Sequence, residues 1–182
     1  DLFTGTFRVP GYYKKEKRYH LYSNRFNWRQ LQNELKTESD TPRFVYTHMM
    51  LPHEPFYLDS TGKEVSDTSI ILQTLNERAS YLNQVVYVNR LIKDLLALIP
   101  KSTKRDLVII LEGDHAFKYE VHEPHYKFFR NLNALYFSDG DYSRLYNGIS
   151  PVNTFRVILN KYFCQALPLL KDSSIYLPPL AN

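Results

Sequence analysis

The chain has 182 residues, a length that fits one ordinary domain able to bury a core without disulfide or metal staples. Hydrophobic residues make up 43% and charged residues 23%, close to globular averages, which excludes a disordered tail, a collagen-like fibre and a coiled-coil rod. Lys and Arg number 23 against 19 Asp and Glu, a net charge of +4, partly gathered in Lys14-Lys15-Glu16-Lys17-Arg18; this excess is too mild and too short for a nucleic-acid surface, and stacking aromatics do not continue with it beyond the cluster.

Residues 1 to 25 are rich in Tyr, Lys and Gly without a clean period, and Val9-Pro10-Gly11 is a turn signal, so an irregular, solvent-facing segment is expected there. Asn27 caps a short predicted helix with Trp28, Leu31 and Leu35 at i, i+3 and i+7, ending before Ser39-Asp40-Thr41-Pro42. Arg43-Phe44-Val45-Tyr46-Thr47-His48-Met49-Met50 has the β-branched and aromatic density of a buried strand. After a loop with Pro52, Pro55 and Gly62, a stripe of Leu82, Val85, Val86, Ile92, Leu96 and Ile99 predicts the longest helix, from about Thr68 to Ile99. Leu107-Val108-Ile109-Ile110-Leu111 is a continuous apolar run of the kind found in parallel strands covered on both faces.

A third strand, Ala134 to Phe137, precedes the turn Ser138-Asp139-Gly140. Ser150 as cap and Pro151 at the first position open a helix with Phe155, Ile158, Leu159 and Tyr162 on one face, followed by an extended Pro-rich tail. Cys164, the single cysteine, excludes an internal disulfide and leaves the redox compartment open; beside Phe163 on the helix face it is expected to be a buried small hydrophobe. No apolar run reaches the roughly 18 residues of a membrane span. The first residues, Asp1-Leu2-Phe3-Thr4, contain neither an initiator Met nor a signal-peptide core, which suggests a piece of something longer. No repeat or second domain is visible, so residues 1–182 are expected to form one domain.

Glu112-Gly113-Asp114-His115 follows the apolar run directly, where side chains leave an α/β sheet and ligands gather. An Asp oxygen and an imidazole nitrogen from adjacent residues suit a divalent metal; the plainer alternative is that Asp114 caps the next turn and His115 packs locally. His48 ends the other predicted buried strand, and His53 lies in a loop stiffened by Pro52 and Pro55. Both imidazoles could face the same crevice, as hydrogen-bond donors to a phosphate or sulfate oxygen or as metal ligands, or else serve core and turn. His122 and His125, shortly after the Asp-His pair, are candidate substrate contacts or simply members of a solvated loop.

The order of these elements is what becomes specific: a strand ending in His48, then Pro52-His53-Glu54-Pro55-Phe56, a long helix containing Tyr81 to Asn89, and an apolar strand into Gly113-Asp114-His115. This pattern resembles the alkaline-phosphatase-like superfamily, in the branch of sulfatases, phosphoethanolamine transferases and lipoteichoic acid synthases. Asn131-Leu132-Asn133-Ala134 and Ser150 to Arg156 look like the C-terminal part of bacterial sulfatase-like proteins.

The resemblance implies a partial α/β/α sandwich with a mixed, mostly parallel sheet and flanking helices. It makes Asp114 and His115 metal ligands for zinc, manganese or calcium, His53 a contact to the transferred group, and His48 a nearby site residue. It implies a Thr, Ser or modified Cys nucleophile activated by the metal, and a covalent enzyme intermediate. The substrate would be a sulfate or phosphate ester, lipid or glycan linked, and the parent an extracytoplasmic, membrane-anchored protein.

Two departures stand out. Ala116 replaces the glycine that usually follows Asp-His, and nothing in residues 1 to 42 matches the nucleophile or the N-terminal acidic ligand. The chain is therefore expected to be the C-terminal part of a hydrolase or transferase domain, inactive alone and prone to self-association through an uncovered strand edge. The alternative is a catalytically degenerate binding domain that keeps the fold without the site.

Overall fold

In the computed structural model, residues 10–37, 39–72, 76–99, 106–117 and 124–177 are described. They belong to two compact units, Asp1–Lys101 and Ser102–Asn182, each built around its own buried residues.

The first unit begins with helix α1, Pro10–Lys36. The helix was expected only from Asn27; it starts nearly five turns earlier and, at 27 residues, exceeds every other helix described. Its inward face explains why the apolar period hides it: Lys17, His20, Leu21, Asn24 and Trp28 recur at helical spacing, and His20, Leu21 and Asn24 are buried, so polar residues occupy positions that usually advertise a core.

The predicted strand over 43–50 is not formed. Residues 42–51 carry no regular structure, and Phe44, Val45 and Tyr46 are exposed. Strand propensity reports the fit to a half-buried pleated surface, and no neighbouring strand is present here among the described residues. The expected long helix is divided into α2, Asp67–Ile71, and α3, Glu77–Leu98. Side-chain caps mark both starts: Ser66 accepts from the Ser69 N–H at 3.1 Å, and Asn76 from the Ala79 N–H at 3.2 Å.

Leu21, Tyr57, Leu58 and Ile70 form the core of this unit, with Leu51, Val65 and Tyr87 against it. The turn that returns the chain to α2 is drawn tight by Asp59, whose Oδ1 accepts from the Thr61 N–H and O–H and from the Lys63 N–H. Gly62 closes the turn at φ +87°, under the ring of Tyr87, where a Cβ would lie 2.3 Å from the nearest ring carbon. Lys17 Nζ donates to the Val65 carbonyl at 3.0 Å and pairs with Asp67 at 3.2 Å, joining α1 to α2.

In the second unit, β1, Val108–Glu112, pairs antiparallel with β2, Asn133–Phe137, in the register Val108 to Phe137 through Glu112 to Asn133. Both expected strands are therefore present, but as an antiparallel pair with β1 only half-buried, not as parallel strands covered on both faces. The described residues hold this one two-stranded sheet, and the mostly parallel sheet of a three-layer sandwich is not seen in them.

Helix α4, Pro151–Tyr162, begins where the sequence places it, after Ser150 with Pro151 in the first turn. Its buried face is Asn153, Thr154, Val157 and Ile158, and Phe155 faces water. Three polar side chains at i, i+3 and i+7 hold the tail: Asn153 exchanges two hydrogen bonds with Leu170, Arg156 donates to the Pro168 carbonyl at 3.1 Å, and Asn160 exchanges two with Leu167. Cys164 is exposed rather than buried. The helix has already ended, with the Gln165 N–H bonded back to the Leu159 carbonyl at 3.3 Å, and Cys164 takes the left-handed conformation, φ 52°, that reverses the chain at a helix C-terminus.

Candidate functional site

The candidate residues fall in both units: His48 and His53 in the first, Asp114, His115 and His125 in the second. His122 lies outside the described residues.

His53 sits on an irregular segment, and buried polar side chains fix its place. Gln84, fully buried on α3, donates from Nε2 to the His53 carbonyl at 3.2 Å and accepts at Oε1 from the Leu58 N–H at 3.3 Å. Asn24, buried on α1, donates to Tyr57 Oη at 2.5 Å and accepts from the Met50 N–H at 2.7 Å. Burial pushes the Tyr57 phenol up to about 12, so it stays a neutral anchor.

The His53 ring meets His20 edge-on, with centroids 5.9 Å apart at 84°. His20 itself is held below the ordinary imidazole range, chiefly by burial and then by His53, against the pull of Glu16. Its Nδ1 is buried without a hydrogen-bond partner among the described residues. His48 is exposed, and its carbonyl accepts from Asn27 Nδ2 at 2.7 Å.

The Asp114-His115 loop is pinned on both sides. The Gly113 N–H donates to the Leu132 carbonyl at 2.9 Å, the Gly113 carbonyl accepts from Asn131 Nδ2, and the Ala116 N–H donates to the Phe128 carbonyl at 3.0 Å. Glu112, the last residue of β1, accepts from the Thr154 hydroxyl at 2.6 Å. This leaves Asp114 with a side chain 90% exposed, its Oδ1 4.0 Å from His115 Nε2.

The two histidines make the same local contact, each within its own unit. His53 Nδ1 lies 2.5 Å from the Glu54 carbonyl and His115 Nδ1 lies 2.7 Å from the Ala116 carbonyl. A carbonyl can only accept, so each Nδ1 carries the proton, and in the neutral ring the lone pair lies on Nε2. That is the tautomer a metal ligand or proton acceptor needs. Asp114 Oδ1 and His115 Nε2 therefore fit a divalent cation as two of its ligands; among the described residues no third His, Cys, Asp or Glu joins them.

His125 is engaged otherwise. Within the short 3-10 turn His125–Phe129 its ring stacks on Tyr176, with centroids 3.7 Å apart at 15°. The amides Asn24, Gln84 and Asn131 are the positioning residues that sequence reasoning missed. The available signal was an amide inside a helical apolar stripe, as Asn24 is between Leu21 and Trp28.

A family model described as Sulfatase matches residues 3–155. No curated protein and no solved structure gives a significant match.

Proposed function

The chain belongs to the sulfatase family, within the alkaline-phosphatase-like superfamily, and from that premise we propose that it is the C-terminal part of a metal-dependent domain for hydrolysis or transfer at a sulfuric or phosphoric ester. The observation that carries this reading is the same local contact at His53 and at His115, Nδ1 tied to the next residue's carbonyl, with an exposed carboxylate oxygen 4.0 Å from the second imidazole.

In this reading Asp114 and His115 supply two ligands to a divalent cation, zinc, manganese or calcium, which when bound offers Lewis acidity toward an anionic ester. His53 faces the transferred group, with His48 near it, and His122 and His125 are the further substrate contacts, His125 only by leaving its stack on Tyr176. The fixed Nε2 of His53 hydrogen-bonds an ester oxygen when protonated and accepts a proton when neutral; the Gln84, Asn24 and His20 contacts hold that segment so that little ordering remains when substrate binds. The nucleophile and the acidic ligand come from outside residues 1–182, so the chain alone binds metal weakly and turns over poorly. The three-layer sandwich, the single domain over 1–182 and the membrane-anchored, extracytoplasmic parent belong to the same proposal. So does a substrate that is a lipid- or glycan-linked sulfate or phosphate ester, phosphoethanolamine transfer included.

Calorimetric titration of the metal-free chain with zinc and with manganese, beside the Asp114→Ala, His115→Ala double variant, tests the central point. Heat of binding in the unmodified chain that disappears in the double variant supports the site. Indistinguishable titrations of the two proteins overturn it.

A further inference from the structure

Helix α1 buries one face and presents a very different one to water. At about 100° per residue, Lys15, Arg18, Tyr19, Tyr22, Phe26 and Arg29 fall within about a third of the circumference, opposite the half-buried Lys17 and the buried His20, Leu21 and Asn24. Tyr19, Tyr22 and Phe26 are 65%, 71% and 48% exposed. The rings of Tyr22 and Phe26 are near-parallel and offset, with centroids 6.2 Å apart and planes at 14°. Lys15, Arg18 and Arg29 are exposed beside them, and among the described residues none has a carboxylate partner.

The charge is as local as the rings. The helix contains seven basic and two acidic residues, a net +5, against +4 for the whole chain, so everything outside it carries −1. Of its two acids, Glu34 is paired with Arg43 at 3.0 Å. Contiguous exposed rings bordered by cations mark an interaction surface. Tyr and Phe with Lys and Arg are also the residues that settle at a lipid headgroup boundary, with apolar bodies inward and polar tips and cations outward.

We propose that this face of α1 docks the chain on an anionic lipid bilayer. The helix lies flat, Tyr19, Tyr22 and Phe26 enter the acyl boundary, and Lys15, Arg18 and Arg29 meet headgroup phosphates. Charge selects this occupant over a second copy of the chain, which would set Lys15, Arg18 and Arg29 against the same three cations. A single-stranded nucleic acid is held in a basic groove with bases stacked on successive rings, whereas here three rings and three cations share one outward helix face. No described helix is long and apolar enough to cross a membrane, so this attachment is peripheral and weakens with salt.

The test is flotation of the full 182-residue chain with vesicles of mixed phosphatidylglycerol and phosphatidylcholine, with pure phosphatidylcholine vesicles and with no lipid, at low and high salt. The expected result is partitioning onto the anionic vesicles alone, reversed by salt. Each cation removed costs about fivefold, so Arg18→Glu with Arg29→Glu lowers partitioning at least about 25-fold; Tyr22→Ala with Phe26→Ala lowers it at unchanged charge. Should one pair unfold the chain, seen as a red shift of the emission of Trp28, the other pair carries the test. A Tyr22→Trp probe in a Trp28→Phe chain shifts to the blue on anionic vesicles. Equal partitioning of the unmodified and charge-reversed chains, equal binding to neutral vesicles, or tighter binding to a single-stranded oligonucleotide than to anionic vesicles overturns the proposal.

Discussion

Gln84 joins helix α3 to both ends of the His53 segment, because one carboxamide satisfies the His53 carbonyl and the Leu58 N–H together. Replacing it with Leu keeps the volume and leaves a buried donor and an acceptor without partners, each worth about 1–3 kcal/mol. Gln84→Leu is therefore expected to lower stability by about 2 kcal/mol or more in urea unfolding, and to release the His53 ring from its single Nδ1–H tautomer, read by nitrogen NMR of the imidazole. Unchanged unfolding would show that these two hydrogen bonds do not hold the segment. Cys164 offers the opposite sign. A residue at φ 52° with a side chain pays for a left-handed turn that glycine takes without strain, so Cys164→Gly is expected to stabilise the chain by about 0.5–1 kcal/mol. That Asp114-His115 follows the end of a strand was legible in the sequence, because the five apolar residues before Glu112-Gly113 read as one. The buried amides were not, since an amide among apolar residues reads as a break in the stripe until its backbone partners, tens of residues away, are known.

At the scale of elements, α4 shows how a polar network replaces an apolar seam. Asp172 on the tail accepts from the Ser150 N–H at 2.8 Å, the Ser150 hydroxyl at 2.5 Å, the Tyr146 hydroxyl at 2.6 Å and Asn153 Nδ2 at 3.1 Å. These donors, the Ser150 hydroxyl foremost, hold its carboxyl down at about 2, below the roughly 3.9 of an unfolded Asp. A carboxyl depressed in the folded state contributes stability that is whole above the unfolded value and drains away as pH falls through the folded one. Asp139 and Asp141, held down by Lys161, act with the same sign. The unfolding midpoint is thus expected to drop as pH is taken from about 4 to about 2, and Asp172→Asn to remove part of that drop; parallel pH profiles would show that Asp172 is not a source of it. The start and first turn of α4 were legible because Ser-Pro is local chemistry. The part of α1 before Asn27 was missed because its inward positions carry His and Asn and its outward ones Tyr and Phe, the reverse of the pattern that a buried helix face is expected to show.

For the whole molecule, the described residues hold apolar segments with strand character and little to pair with. The β1–β2 pair has five residues on each side, and a two-stranded ribbon is marginal by itself. Tyr136 on β2 is exposed, as are Phe44, Val45 and Tyr46 in the extended run before His48. That run was expected to be a buried strand, and the reason it is not one is physical: alternation and β-branching give a segment the capacity to pair, while pairing itself needs a neighbour that no local pattern supplies. Backbone groups along such segments are templates for a second chain. The isolated chain is accordingly expected to self-associate, its apparent mass in light scattering rising with concentration. Val45→Lys with Tyr136→Lys places a charge on each segment, at positions already facing water, where folding loses little and a docking strand would have to bury an ammonium group. The double variant should stay monomeric at concentrations where the unmodified chain does not. A constant monomer mass for the unmodified chain over the same range would mean that neither segment recruits a partner strand.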